Sequence, residues 1–343
     1  MLKKVIESSK VDHFVRWFER CEKIVLVSHV SPDGDAIGSS LALFHFFSSR
    51  KKEVRVIMPN DFPDFLKWMP GSNELLIYEN EREVCDVFIQ EADVLVCLDF
   101  NTPSRVGPME EILLKTPARK LLIDHHPYPE DFARITMSYP HISSTSELVF
   151  RLICAMGYFG EISREGAICI YTGMMTDTGN FTYNSNQEEI YVIIYQLIKK
   201  GVDKDAIYRK VFNTYSVNRM RLQGYLINKM TIFPEYHASL MTLTEEEKKD
   251  FDFQKGDSEG FVNIPLAIDT IILSCFFAET DQGIIKVSLR SQGDFPCNKM
   301  AAEYFNGGGH LNASGGEFDG TMEQAIQTYQ KALESYASLL RKG

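Results

Sequence analysis

His29, Asp33 and Asp35 fall within seven residues, in the order His-Val-Ser-Pro-Asp-Gly-Asp. One imidazole and two carboxylates at that spacing repel one another unless a cation sits among them, and a divalent metal is the economical partner. The same stretch also reads as a polar turn, with Pro32 and Gly34 setting its geometry and Asp35 capping a helix. Further along, Asp99 closes one apolar run, Asp124-His125-His126 closes another, and Asp177 ends an apolar helical segment. For Asp177 alone, a helix stop at Gly179 is the plainer account. Acidic or imidazole groups closing three separate strands are harder to explain as caps.

The elements that must position these groups follow from the apolar pattern. Short runs rich in Val, Ile and Leu at 24–28, 54–58, 94–98 and 120–123 read as buried strands. Before, between and after them, helical spacing predicts helices over 1–22, 36–49, 147–156, 166–175 and 188–199. Ile37, Leu41 and Phe44 carry the apolar stripe of the second of these. Continuous apolar strands alternating with helices specify an α/β domain with a parallel sheet covered on both faces. In such sheets ligands bind beyond the carboxyl ends of the strands, where the acidic and imidazole groups fall.

At 343 residues the chain calls for two domains. Residues 201–227 are expected as a helical linker. Between Gly201 and Met230 six basic residues (Lys204, Arg209, Lys210, Arg219, Arg221, Lys229) face two acidic ones (Asp203, Asp205). A solvated helix accounts for that run better than an anion-binding cleft does. The second domain, 228–343, is expected to hold strands at 229–233, 237–243, 271–279 and 283–290. A hairpin at Thr280–Gly283, a helix at 298–305 and a final helix from Met322 to Leu340 complete it. Between those helices lies Gly307-Gly308-Gly309-His310, followed by Ala313-Ser314-Gly315-Gly316. Three glycines before a histidine let backbone N–H groups approach a phosphate, with the imidazole as a further donor. A glycine turn between helix and strand would look similar.

Composition narrows the function. With 44% hydrophobic and 24% charged residues the chain is that of a globular protein. Its net charge of −11 speaks against a protein that coats long nucleic acid. No apolar run reaches the ~20 residues of a membrane span, and Met1 to Lys10 lacks the apolar core of a secretory leader. The seven cysteines are widely spaced and never form C-x-x-C, so they read as reduced core residues of a cytoplasmic protein.

His29-x-x-x-Asp33-x-Asp35, Asp99 after a strand, Asp124-His125-His126, and Asp177 after a helix resemble, in order, the motifs of the DHH phosphoesterase superfamily. Gly307–His310 with Ala313-Ser314-Gly315 is similar to the nucleotide-binding signature of the DHHA1 domain. On this resemblance 1–200 is the DHH domain and 228–343 a smaller α/β DHHA1 domain, with the active-site cleft between them. The layout resembles the group of bifunctional oligoribonucleases and 3′-phosphoadenosine 5′-phosphate (pAp) phosphatases. RecJ-type exonucleases add an OB-fold, and membrane-bound cyclic-dinucleotide phosphodiesterases add N-terminal helices and sensor domains. Manganese pyrophosphatases carry a different second domain; Ser49-Arg50-Lys51-Lys52 echoes its motif only by coincidence.

The resemblance implies two divalent cations, Mn²⁺ first, with Mg²⁺ or Co²⁺ as alternatives. One takes His29, Asp33 and Asp99; the other takes Asp35, Asp99, His125 and Asp177, so Asp99 bridges. It places Asp124 behind an imidazole of the cluster, His126 against the substrate phosphate, and Arg290, His310 and Gly307–Gly309 on the substrate's far phosphate. Arg105 is a further candidate, equally well read as a loop arginine. The implied activity is hydrolysis of short RNA or DNA oligonucleotides to 5′-mononucleotides, or of pAp to AMP. Alternatives are a linear (pApA-type) or cyclic dinucleotide phosphodiesterase, a pyrophosphatase, and a silent nucleotide-binding module. The implied partners are short oligonucleotides or small phosphorylated nucleotides, without a membrane. A homodimer is left open.

Overall fold

A computed structural model describes residues 4–340, which divide into two compact units, up to Thr214 and from Tyr215.

The first unit opens with α1 (Ser8–Arg20) and continues through β1 (Lys23–Val27), α2 (Gly34–Ser49), β2 (Glu53–Met58) and β3 (Leu75–Ile77). Next come α3 (Arg82–Glu91), β4 (Val94–Leu98), α4 (Glu110–Lys115), β5 (Arg119–Asp124) and β6 (Ile135–Ser138). It closes with α5 (Thr145–Ala155), α6 (Arg164–Asp177), α7 (Glu188–Lys199) and α8 (Lys204–Phe212). The six strands form one parallel sheet in the order β3-β2-β1-β4-β5-β6. The sequence pattern anticipates β1, β2, β4 and β5. It misses β3, three half-buried residues, and β6, where only alternate residues are buried. β3 is apolar but only three residues long, and β6 alternates Ile-Thr-Met-Ser, so neither shows the longer apolar run of a central strand.

Alternation along each central strand feeds two cores. Leu26, Val96 and Ile123 join one, with Phe14 of α1, Leu41 of α2, Leu148 of α5 and Ile170 of α6. Val25, Leu95 and Leu122 join the other, with Ile89 of α3 and Leu113 of α4. A sheet buried on both faces is therefore the observed architecture, as the continuous apolar strands require. The chain winds outward in opposite directions from β1 and from β4. The gap between these neighbours is the topological switch point, where parallel sheets open a crevice at their carboxyl ends.

The second unit contains α9 (Val217–Lys229), β7 (Thr231–Phe233), β8 (Ala238–Leu243), α10 (Glu245–Asp250), β9 (Leu273–Glu279) and β10 (Ile284–Ser291). α11 (Cys297–Tyr304), β11 (Gly308–His310), β12 (Ala313–Asp319), α12 (Met322–Ser335) and α13 (Ala337–Leu340) follow. Its sheet runs β11-β12-β10-β9-β8-β7 and is mixed, with β8 and β9 parallel and the other pairs antiparallel. The final helix breaks at Tyr336 into α12 and α13.

The helical stretch 201–227, expected as a linker, is instead divided between the units. Ile207 and Val211 of α8 are buried in the first core, and Leu222 and Leu226 of α9 in a core of the second. Much of its basic charge is engaged locally. Lys204 pairs with Asp205, Lys210 lies 4.6 Å from the Trp68 ring centre, and Lys229 meets Glu247. Arg219 is buried, 3.4 Å from the centre of the Tyr215 ring, and donates to Glu259 O at 2.8 Å.

Candidate active site

The loops leaving β1 and β4 bring His29 and Asp99 together at the switch point, with His29 Nε2 3.5 Å from Asp99 Oδ2. Asp33 is the N-cap of α2: its Oδ1 accepts from the N–H of Asp35 at 2.9 Å and of Ala36 at 3.0 Å. Such a cap contributes about 1 kcal/mol and fixes the carboxylate's direction. Capping thus falls to Asp33 rather than Asp35, which turns into the first helical turn and is 1% exposed. Asp124 ends β5, and His125 and His126 follow it. Asp177 is the last residue of α6.

α2 and α6 can approach only because glycines line their contact. A side-chain carbon at Gly38 would lie 2.7 Å from Cys169 O and 2.9 Å from Gly173 Cα. One at Gly173 would strike Ser146 Oγ and lie 2.9 Å from Asp35 Oδ1. This close approach sets Asp35 and Asp177 in one cluster with His125, whose Nε2 is 3.4 Å from Asp177 Oδ2. His125 Nε2 is also 3.6 Å from Asp99 Oδ1, placing Asp99 between His29 and His125.

The imidazoles are held from behind. His29 Nδ1 meets Val30 O at 2.8 Å and His125 Nδ1 meets Ile142 O at 3.3 Å. A carbonyl can only accept, so Nδ1 carries a proton in each, and Nε2 is the atom turned toward the carboxylates of the cluster. His126 Nδ1 instead meets Asp124 Oδ1 at 2.8 Å. Asp124 is fully buried, and its Oδ2 has no hydrogen-bond partner among the described residues.

A feature invisible in the motifs is the start of α5. Thr145 and Ser146 donate their N–H groups to Asp35 Oδ2 and Oδ1 at 2.6 and 2.8 Å, and Thr145 Oγ1 donates to Asp99 Oδ1 at 2.8 Å. Ser144 caps the same helix, accepting from Glu147 N–H at 3.1 Å. Glu147, itself buried, accepts from Ser143 Oγ at 2.6 Å and pairs with Arg151 at 2.7 Å. The signal for this support was the polar run Ser143-Ser144-Thr145-Ser146-Glu147, unusual immediately before a buried helix.

Charge within the cluster is unbalanced. Burial, with Asp99 and Asp177 nearby, pushes the Asp35 carboxyl well above the usual range. Burial acts the same way on Asp99, but His29, His126 and His125 outweigh it and hold that carboxyl far down. Burial opposes protonation of His29 and His125, yet both are raised, by Asp99 and Asp33 for the first and by Asp99, Asp35 and Asp124 for the second. The donor sets His29-Asp33-Asp99, Asp35-His125-Asp177 and Asp99-Asp124-His126 each bring ligand atoms within 4.8 Å of one another. Crowded oxygen and imidazole donors without sulfur, in need of positive charge, fit hard or borderline divalent cations.

Arg105 lies beside this cluster: its carbonyl accepts from Val30 N–H at 2.8 Å, and its charge opposes protonation of His29. In the second unit the expected glycine loop is a strand. Gly308–His310 form edge strand β11, paired with β12 in the register Gly308↔Gly315, Gly309↔Ser314, His310↔Ala313. A side-chain carbon at Gly307 would strike Gly315 O, and one at Gly309 would lie 2.6 Å from Ala313 O, so these glycines permit close strand approach. Arg290 of β10 also registers with Ala313. Arg290 and His310 therefore flank one residue of β12 and stand on one face of the sheet, ~10 Å apart at two strand spacings. The Arg290 guanidinium donates to Leu289 O at 2.9 Å.

Comparison with known proteins identifies both halves of the chain. Residues 23–174 match the DHH family, N-terminal domain, and residues 237–339 match the DHHA1 domain. The bifunctional oligoribonuclease and PAP phosphatase NrnA of Thermus thermophilus is 30% identical over 91% of this chain and 88% of its own. Its namesake in Bacillus subtilis is 25% identical over 88% of this chain and 91% of its own. The crystal structure of an exopolyphosphatase-related protein from Bacteroides fragilis superposes with a TM-score of 0.96 at 63% identity, covering 99% of this chain and 100% of that one. RecJ bound to manganese, 13% identical with a TM-score of 0.53, shares the fold. Family, domain order and donor set converge: this chain belongs to the DHH family of metal-dependent phosphoesterases, in its DHH–DHHA1 form.

Proposed function

We propose that the chain hydrolyses short oligoribonucleotides to 5′-mononucleotides and pAp to AMP, using two divalent cations, with Mn²⁺ the preferred ion. The observation that carries this reading is the convergence of Asp33, Asp35, Asp99 and Asp177 with His29 and His125 at the switch point of the sheet. His29, Asp33 and Asp99 would hold one ion, and Asp35, Asp99, His125 and Asp177 the other. When bound, such a pair supplies Lewis acidity to the phosphoryl oxygens and lowers the pKa of an attacking water.

The chain's own residues do the rest. Val30 O and Ile142 O keep the two ligand imidazoles in one tautomer, and Thr145 with Ser146 hold Asp35 and Asp99 rigid. His126, oriented by Asp124 through Nδ1, would face the substrate phosphate as charge builds on its oxygens. Arg290 and His310, on one face of their sheet with Ala313 between them, would take a phosphate of the substrate, where a guanidinium fork binds two oxygens. Arg105, whose charge opposes protonation of His29, would serve as a further cation.

Curated relatives that this chain matches over about half of their length are named cyclic-di-AMP phosphodiesterases, among them GdpP of Geobacillus thermodenitrificans, where the match covers 92% of this chain and 48% of the relative. A dinucleotide phosphodiesterase is therefore the second reading. The test is initial rates with Mn²⁺ on RNA of graded length, pAp, linear and cyclic di-adenylate, and inorganic polyphosphate. Fastest turnover of the shortest RNAs and pAp is expected. Preferential cleavage of a cyclic dinucleotide would replace the first reading by the second, and efficient degradation of long RNA would contradict both.

A further inference from the structure

The opposite end of the first unit's sheet carries a second concentration of charge, of the other sign. Arg16 and Arg20 of α1, Arg119 at the first residue of β5 and Arg134 just before β6 line one cavity of ≈ 400 Å³, together with His13 and Trp17. All four arginines are exposed, and among the described residues none is held in an ion pair. Asp93, the acidic neighbour of Arg119, is engaged elsewhere: its Oδ2 accepts from the N–H groups of Glu22 and Lys23 at 2.7 and 2.9 Å. Trp17 is buried under the cavity and braces it. Arg119 lies 5.8 Å from the centre of its indole, and the His13 ring meets it edge-on at 4.9 Å.

Four guanidinium groups gathered with no ion pair among them, and with only the backbone-bound Asp93 near Arg119, repel one another, in a chain whose net charge of −11 leaves many carboxylates that could have neutralised them. We propose that this cavity binds a compact polyanion with two or more linked phosphoryl groups, such as a nucleoside triphosphate or inorganic tripolyphosphate. The volume falls in the range of small-molecule sites. Planar guanidinium forks match phosphate oxygens two at a time, and linked phosphates meet four such forks where a single phosphate cannot. Because the Trp17 ring already carries Arg119 and His13, it offers no free face for a base, and the phosphates dominate recognition.

This site is distinct from the carboxylate–imidazole cluster. Arg119 and Asp124 are the first and last residues of β5, so the two sites lie ~16 Å apart along one strand. Its occupation therefore does not depend on what the cluster hydrolyses.

The chain has only two tryptophans, so the Trp68→Phe variant leaves Trp17 as the sole indole reporter. The full-length protein, with its metal as purified, is titrated with tripolyphosphate, ATP and orthophosphate while Trp17 emission is followed. Equilibrium dialysis of wild type with the same compounds provides a readout independent of the Trp68 substitution. A saturable change with tripolyphosphate and ATP is expected, weakened at least tenfold in Arg16→Gln/Arg134→Gln, whose hydrolytic rate stays at the wild-type level. Equal affinity for the two compounds identifies the phosphate chain as the whole determinant, and tighter ATP adds a nucleoside contact; both support the site. Binding that the double substitution leaves unchanged, orthophosphate binding as tight as tripolyphosphate, or no saturation below millimolar concentration would overturn it.

Discussion

The Thr145 hydroxyl donates to Asp99 Oδ1 at 2.8 Å, tying the start of α5 to the carboxylate that stands between His29 and His125. Asp99 itself sits at φ 66°, a left-handed conformation held in place by its N–H bond to Ile123 O at 3.1 Å. The central carboxylate is thus fixed from both its backbone and its side chain.

Thr145→Val removes the hydroxyl but keeps the N–H bond to Asp35. Metal affinity and kcat are expected to fall about 10-fold, as for loss of a group behind a ligand. The melting temperature should move by only a few degrees, and Thr145→Ser should restore most activity. Calorimetric Mn²⁺ titration checks this, and wild-type affinity in Thr145→Val would refute the positioning role.

Gly173→Ala tests the helix contact that sets Asp35 beside Asp177. The added methyl must displace Ser146 or Asp35, at a cost of about 1–3 kcal/mol. A lower denaturation midpoint together with loss of bound metal is the expected pair of results. Destabilisation with metal affinity intact would mean that the glycine serves packing alone.

Much of this was legible in the sequence. Asp99 and Asp124 each end a continuous apolar strand, and that pattern locates them at the carboxyl edge without any structure. The role of Thr145 was not legible, because its partners Asp35 and Asp99 are 110 and 46 residues away and no local pattern encodes such a bond. β11 escaped because a run of glycines looks like a turn until Gly315 and Ala313 are seen packed against it. The stretch 201–227 read as one basic linker because its charge pattern is continuous, whereas its apolar residues serve two different cores.

Arg290 and His310 share one face of their sheet, and the proposed grip on a second phosphate predicts a change in substrate ratio. Arg290→Ala or His310→Ala should weaken use of dinucleotides by ~1.5–3 kcal/mol, the worth of a charge-assisted contact. A small nitrophenyl phosphate diester should be cleaved as before. The measurement is kcat/KM on dinucleotide divided by that on the small ester. An unchanged ratio would show that β11 is structural only.

Burial pushes the thiols of Cys85 and Cys154 up to about 11, and those of Cys97, Cys169 and Cys275 further. Their neutral form is therefore the folded form throughout the neutral range. An unfolded chain releases these protons near pH 8.5, so stability is lost as pH rises above that value, not as it falls. Native protein at pH 8 should react slowly with a thiol reagent, and denatured protein rapidly at seven sites. Fast native labelling of these cysteines would contradict their placement in the cores.

On the proposed function Asp99 would join two ions in one site. Asp99→Asn is the most direct probe, because asparagine tolerates the left-handed backbone and keeps an oxygen for Thr145, while the charge is lost. Metal per chain is measured by elemental analysis after dialysis against Mn²⁺, for wild type, Asp99→Asn, His29→Ala and His125→Ala. About two ions are expected in wild type, about one in each histidine variant and close to none in Asp99→Asn, with activity lost in the last. Two ions retained by a folded Asp99→Asn protein would contradict that bridging role.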